Sequence, residues 1–278
     1  MSEHESSQRK AIFITGGASG IGRAIAQRFA KGGWFVGIGD VDEAGMTETE
    51  HLIANGFTFS HKFDVRDREA WDEALDAFSM AAGGRIDAVV NNAGIPLGGS
   101  LDQNSVAEIE RCLDINLKGV LFGAQAALPH LKKTAPGSCL LNTASAAGIY
   151  GTSGASVYSA TKFGVRAITE SLDGEWADYG IKVRSIMPGF IETPLIDQVP
   201  NAQSNEAIRD RVKAAGLEIT PVAEVGEAAW QAAAALRLEE LVRRADVPPQ
   251  PAEPRERDEA RRDALPETPL DSLAAKAG

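Results

Sequence analysis

Residues 11–22 read Ala11-Ile12-Phe13-Ile14-Thr15-Gly16-Gly17-Ala18-Ser19-Gly20-Ile21-Gly22. A short apolar run passes directly into a glycine-rich turn, and an amphipathic stretch, Arg23 to Lys31, follows. That order predicts a strand, a tight turn and a helix, the context in which a dinucleotide pyrophosphate is held. Glycines let backbone N–H groups approach the phosphates, and the helix amino terminus adds unpaired donors and a favourable dipole. The spacing is G-x-x-x-G-x-G, so the general G-x-G-x-x-G fingerprint is not met letter for letter. Gly16, Ser19, Gly20, Ile21 and Gly22 are the expected cofactor contacts in this turn.

Outward from the turn, short apolar runs alternate with longer amphipathic stretches. Strands are expected at Ala11 to Thr15, Phe35 to Gly39, Thr58 to Phe63, Ala88 to Asn91, Cys139 to Thr143 and Lys182 to Met187. Helices fill the gaps, with the clearest three- and four-residue periodicity in Arg23 to Lys31, Arg68 to Ala82, Val106 to Leu131 and Val157 to Tyr179. The expected fold class is therefore α/β: a doubly wound, Rossmann-like parallel sheet in a single domain, with its ligand site at the carboxyl ends of the strands.

Residues 1–10 read as a polar extension, and residues 11–245 as the dinucleotide-binding and catalytic domain, with a substrate lid at about 190–216. Residues 246–278 read as a disordered tail: Pro248 to Gly278 holds six of the 13 prolines, and no aromatic residue follows Trp230.

Composition narrows the function classes. Hydrophobic residues make up 44% of the 278, enough to bury a core. A net charge of -11 repels nucleic-acid backbones and anionic headgroups, and the basic residues from Arg255 to Arg262 are interleaved with acidic ones. We expect no nucleic-acid partner and no membrane partner. Cys112 and Cys139 stand apart from any C-x-x-C pair or histidine cluster, so neither a disulfide scaffold nor a metal site is expected. Residues 1–10 lack a signal-peptide core and no apolar run approaches a membrane span, which predicts a cytoplasmic protein.

Asp40 closes the second strand, 18 residues after Gly22, where a carboxylate can accept hydrogen bonds from adenosine ribose hydroxyls and repel a 2′-phosphate. Ser19 occupies a position from which a basic side chain could have met that phosphate. Both favour NAD over NADP; Arg23, one step inside the helix, is the dissenting residue.

Tyr158 and Lys162 are four residues apart on a predicted helix, so phenol and ammonium share one face. A tyrosine ordinarily titrates near ~10, and proton transfer at neutral pH calls for a depression of about 2 to 3 units. A neighbouring Lys162 ammonium and a positive nicotinamide ring are the expected sources. Ser145 follows the fifth strand, where its hydroxyl can bond a reacting carbonyl oxygen. The spacing of Tyr and Lys is common by chance, and its weight comes from these neighbours.

Taken together, Thr15 to Gly22, Asp64-Val65, Asn91-Asn92-Ala93-Gly94, Asn116 to Gly119, Ser145, Tyr158, Lys162 and Pro188-Gly189 resemble the short-chain dehydrogenase/reductase family, in its compact single-domain branch. The likeness runs from about Ala11 to Thr193. It implies hydride transfer between NAD(H) and an alcohol or ketone, with Tyr158 as general acid/base, Ser145 steadying the oxygen, and Lys162 lowering the phenol and binding the nicotinamide ribose. It further implies that Asn116 holds a water in a proton relay, that Asp64 and Val65 line the adenine pocket, and that Asn92, Ala93 and Gly94 flank the cofactor. Pro188, Gly189, Ile191 and Thr193 would lie on the nicotinamide side, Thr193 at the carboxamide. A homo-oligomer, dimer or tetramer, is implied by resemblance alone.

The loops that follow the strand ends are mostly apolar, Ile149, Tyr150, Leu195 and Ile196 among them, which points to a small hydrophobic secondary alcohol or ketone. Two other readings stay open: an epimerase or dehydratase relative with bound NAD, and a non-catalytic NAD-binding protein. The family's usual seventh strand is not recognisable. Beyond an expected helix at Glu224 to Arg244 there is no β-branched run, which is open to three explanations: a six-strand variant, a tail that folds against a partner, or an altered reading frame near Leu236.

Overall fold

The computed structural model describes residues 9–53 and 56–234. Six strands, β1 Ala11–Thr15, β2 Phe35–Asp40, β3 Thr58–Lys62, β4 Ala88–Asn91, β5 Cys139–Thr143 and β6 Lys182–Ile186, form one sheet in the order β3-β2-β1-β4-β5-β6. Every adjacent pair is parallel. The order reverses between β1 and β4, the switch point at which a doubly wound sheet opens a crevice for its ligand.

Strand β1 is buried throughout, and its alternation feeds both faces of the sheet. Ile12 and Ile14 join Ile25, Phe29, Val36, Ile38 and Leu141 in one core layer. Phe13 joins Phe63, Trp71, Leu75, Phe78, Val89 and Leu140 in the other. Burial on both sides is why the central strands read as unbroken apolar runs.

Helices α1 Gly20–Lys31, α2 Glu43–Ile53, α3 Arg68–Ala81, α4 Val106–Leu113, α5 Gly119–Thr134, α6 Ser156–Glu175, α7 Ile208–Ala214 and α8 Val222–Ala234 complete the described fold. Two of the starts are fixed by capping side chains. Asp67 accepts from the N–H groups of Glu69 and Ala70 at the head of α3, and Ser105 and Glu108 form a capping box on α4.

The structure departs from the periodicity reading at three places. Val106 to Leu131 is not one helix: Asp114–Lys118 is a π turn between α4 and α5. Helix α1 starts at Gly20, so part of the glycine-rich turn is its first turn. Helix α6 stops at Glu175, and a 3₁₀ turn at Ala177–Tyr179 leads into Gly180 at φ 71°, a left-handed conformation that glycine adopts freely. Of the expected helix Glu224 to Arg244, the part through Ala234 is seen as α8. The remainder, the seventh-strand question, the tail and most of the 1–10 extension lie outside the described residues.

Candidate active site

One cleft of about 1380 Å³ runs across the carboxyl ends of the strands, and nearly all the expected site residues line it. Gly16, Ser19, Gly20, Ile21 and Asp40 lie along it, together with Asp64, Val65, Asn92, Ala93 and Gly94. So do Ser145, Tyr158, Lys162, Pro188, Gly189, Ile191 and Thr193. The two exceptions are Gly22 and Asn116, which act from behind the wall. A Cβ on Gly22 would lie 2.0 Å from the carbonyl oxygen of Gly16, so this glycine lets the turn fold onto its own helix.

At the turn, Gly16 (φ 67°) and Gly20 (φ 52°) hold left-handed conformations, and the side chain of Ser19 makes no capping bond to α1. A Cβ on Gly20 would lie 3.2 Å from Thr193, so the segment after β6 reaches back over the turn. The Asp40 carboxylate accepts from the N–H groups of Ala18 (3.1 Å), Val41 (2.7 Å) and Asp42 (3.1 Å), which fixes it at the rim. Arg23 is turned the other way. Its guanidinium donates to the carbonyl oxygen of Ala18 in the turn, and on α2 to Thr49 Oγ1 at 3.0 Å and to Glu48 at 2.7 Å.

Further along, Asp64 is clasped by Arg66, whose Nε and Nη2 donate to the carboxylate at 2.6–3.0 Å. That guanidinium holds the Asp64 carboxyl below the usual carboxylate range. Asn92 is fixed on both arms: Nδ2 donates to the Thr15 carbonyl at 2.9 Å, and Oδ1 accepts from Thr143 Oγ1 at 3.2 Å. Thr15 Oγ1 accepts from the N–H groups of Asn92 and Ala93. Sequence reasoning gave Thr15, Arg66 and Thr143 no site role; each sits at or just beyond a strand end, and that placement was the available signal.

The proposed catalytic groups gather on α6 and the loop after β5. Lys162, 5% exposed, donates from Nζ to the Thr143 carbonyl oxygen at 2.8 Å. Burial pulls its pKa down to about 8. Tyr158 is half-buried, with its ring centroid 5.6 Å from Lys162 Nζ. Burial pushes its phenol up from the ordinary value, and the Ser145 hydroxyl draws it back down. In the cofactor-free protein the phenol therefore lies above its ordinary value, where the sequence led us to expect it below.

Asn116 is fully buried in the π turn. Its Oδ1 accepts from the Ile95 N–H and its Nδ2 donates to the Ile95 carbonyl, both at 2.9 Å, which locks the amide against the loop after β4. A Cβ on Gly94 would lie 3.3 Å from Asn116 Oδ1 and 3.7 Å from Lys162 Nζ, so this glycine keeps the space between the two open. Cys112 packs below, its sulfur 3.5 Å from Asn116 Nδ2, and burial raises its thiol to about 11, which keeps it protonated.

Residues 10–204 match the family model described as short chain dehydrogenase. The chain belongs to the short-chain dehydrogenase/reductase family.

Among its relatives in that family is the 2,5-dichloro-2,5-cyclohexadiene-1,4-diol dehydrogenase LinX of Sphingobium indicum. It is 36% identical over 193 residues, which span 69% of this chain and 76% of the relative. An NADP-dependent (R)-specific alcohol dehydrogenase of Lentilactobacillus kefiri is 32% identical over 221 residues, 78% of this chain and 84% of the relative. A crystal structure of a 3-ketoacyl-(acyl-carrier-protein) reductase from Brucella melitensis, complexed with NADH, superposes with a TM-score of 0.71 at 29% identity. That likeness covers 80% of this chain and 90% of that one.

The chain is thus an oxidoreductase of a family that binds a nicotinamide cofactor. The residues present fit such a group: two left-handed glycines at the head of a helix, an anchored carboxylate at the cleft rim, and a cleft reaching from there to Tyr158.

Proposed function

We propose that this dehydrogenase/reductase interconverts a small hydrophobic secondary alcohol and its ketone using NAD(H), with Tyr158 as general acid/base. The observation that carries this reading is that Ser145, Tyr158 and Lys162 line the same cleft as the Asp40 carboxylate. At about 1380 Å³ the cleft exceeds the roughly 300–1,000 Å³ of an ordinary ligand pocket, so it has room for a cofactor and a substrate together.

The bound nicotinamide supplies or accepts the hydride. In the reducing direction Tyr158 gives its hydroxyl proton to the carbonyl oxygen, and in the oxidising direction it takes the proton from the alcohol. Ser145 hydrogen-bonds the same oxygen and steadies the charge that develops on it. Lys162, held by Thr143, would bind the nicotinamide ribose hydroxyls. In the space that Gly94 leaves open, Asn116 would hold a water through which Lys162 passes the proton to solvent.

NAD is favoured over NADP because Asp40 is anchored at the ribose rim, while Arg23 is tied to Glu48 and Thr49. A substrate carrying a hydrophobic body fits the walls formed by Ile95, Leu97, Tyr150, Phe190, Leu195 and Leu217. Two free, buried cysteines suit a reducing cytoplasm, and exposed Leu113, Leu121 and Phe163 on α4 to α6 suit a homo-oligomer, dimer or tetramer. Among the described residues no helix is long and apolar enough to cross a membrane; neither membrane nor nucleic acid is proposed as a partner.

The test is a panel of hydrophobic secondary alcohols and ketones, followed by nicotinamide absorbance with NAD and NADP in parallel. Turnover with NAD(H) preferred is the expected result; no turnover on any member overturns the reading.

A further inference from the structure

The loops that follow β4, β5 and β6 come from distant parts of the sequence, yet they meet in one place. The Gly98 N–H donates to the Pro200 carbonyl and the Gly99 N–H to the Gly154 carbonyl, each at 2.8 Å. Gly98 is pressed between the other two loops: a Cβ there would lie 2.8 Å from Pro200 Cβ and 3.1 Å from the Gly154 carbonyl oxygen. Gly98, Gly99, Gly154 and Pro200 all line the cleft, so their junction is part of its wall.

Glu108, at the first turn of α4, fastens this junction. One carboxylate oxygen completes the capping box, accepting from the N–H and hydroxyl of Ser105 at 2.9 and 2.8 Å. The other accepts from the Ala202 N–H at 2.9 Å, across 94 residues of sequence. The adjacent Asn201 is buried, its amide against Gly99. A carboxylate holding a backbone N–H is a charge-assisted bond, stronger than a neutral one.

We propose that this three-loop junction is the substrate-size filter of the site, and that Glu108 is the specificity-determining residue that holds it shut. The proposal rests on the dehydrogenase reading above. A wall made of backbone bonds between glycines and a proline cannot yield by rotating a side chain. A bulkier substrate is accommodated only if the segment around Pro200 lifts away, and the Glu108–Ala202 bond opposes that movement.

The test uses the full chain with NADH, comparing kcat/KM for a compact ketone and a bulky ring-bearing one, with hydrogen–deuterium exchange of segments 98–99 and 200–202 alongside. Glu108→Ala should speed exchange in both segments and move the kcat/KM ratio about tenfold toward the bulky ketone, chiefly through KM. Glu108→Gln keeps an acceptor for Ala202 and should stay within about threefold of the parent. Gly98→Ala, which wedges a methyl into the junction without altering Glu108, should shift the ratio in the same direction.

Ser105→Ala removes the cap without the fastening and should leave the ratio in place. If it reproduces Glu108→Ala, or if the ratio is unmoved while the parent turns over ketones, the filter is overturned alone. If the parent turns over no alcohol or ketone, the dehydrogenase reading falls and takes the filter with it.

Discussion

Lys162 keeps its ammonium where little water reaches it, and this placement costs stability. Its folded-state pKa of about 8 lies below the ordinary 10.5, so between those values the unfolded chain binds more protons and stability rises with pH. Below about pH 8 the folded protein bears the full cost of the buried charge. Lys162→Met should therefore raise the stability of the cofactor-free protein at pH 7 by on the order of 1–3 kcal/mol while abolishing turnover. In thermal melts the gain should shrink from pH 7 to pH 10; a variant less stable than the parent at pH 7 contradicts this. Asp40 makes a second residue-scale prediction. With Arg23 engaged by α2, the carboxylate alone opposes a 2′-phosphate, so Asp40→Ala should relax NAD-over-NADP discrimination in kcat/KM by about tenfold or more. Unchanged selectivity would remove Asp40 from that role. Both residues were legible in the sequence because each follows a recognisable element at a telling interval. The orientation of Arg23 was not, since it depends on packing against α2.

Among the elements, the six strands were legible to within a residue or two: β1, β4 and β5 are buried along their whole length and read as largely apolar runs, while the half-exposed edge strands β3 and β6 were marked by their place in the strand–helix alternation. Helix α2 had no strong periodicity: its buried positions are Gly45, Met46, Thr49 and Ile53, only two of them large and apolar. The π turn was hidden for the opposite reason, since apolar residues continue through it, and Asn116 is the one polar side chain that marks its buried face. The bond from Glu108 to Ala202 had no local signature at all. Between α3 and α5 sits His130, whose buried Nδ1 has no hydrogen-bond partner among the described residues and whose Nε2 lies 3.5 Å from Asp76. Burial lowers its pKa below the ordinary 6.5. As pH falls through 6.5 the unfolded chain takes up the proton first, so stability declines. His130→Phe should lose about 2 °C less in Tm than the parent between pH 7 and pH 5.5. Equal losses would place the acid sensitivity elsewhere.

At the scale of the whole molecule, the sheet order sets the glycine-rich turn after β1 and the loop after β5 on the two sides of the switch point, at the same end of the strands, and a single cleft joins them. That convergence was legible as a fold class before any distance was known, because alternating strands and helices leave few other topologies. The tightness of the three-loop wall was not, since it depends on contacts between remote loops. If the chain assembles as proposed, light scattering will give a dimer or tetramer, and Phe163→Glu will lower the mass; a monomeric parent contradicts the assembly. The central claim, that Tyr158 moves the proton in an NAD-linked reaction, is tested most directly by Tyr158→Phe. The measurement is single-turnover oxidation of NADH with the best ketone of the panel, alongside NADH affinity. Loss of the phenol should slow the reaction by about 10²- to 10⁴-fold with NADH affinity unchanged, and a variant that keeps more than about a tenth of the parent rate contradicts the assignment.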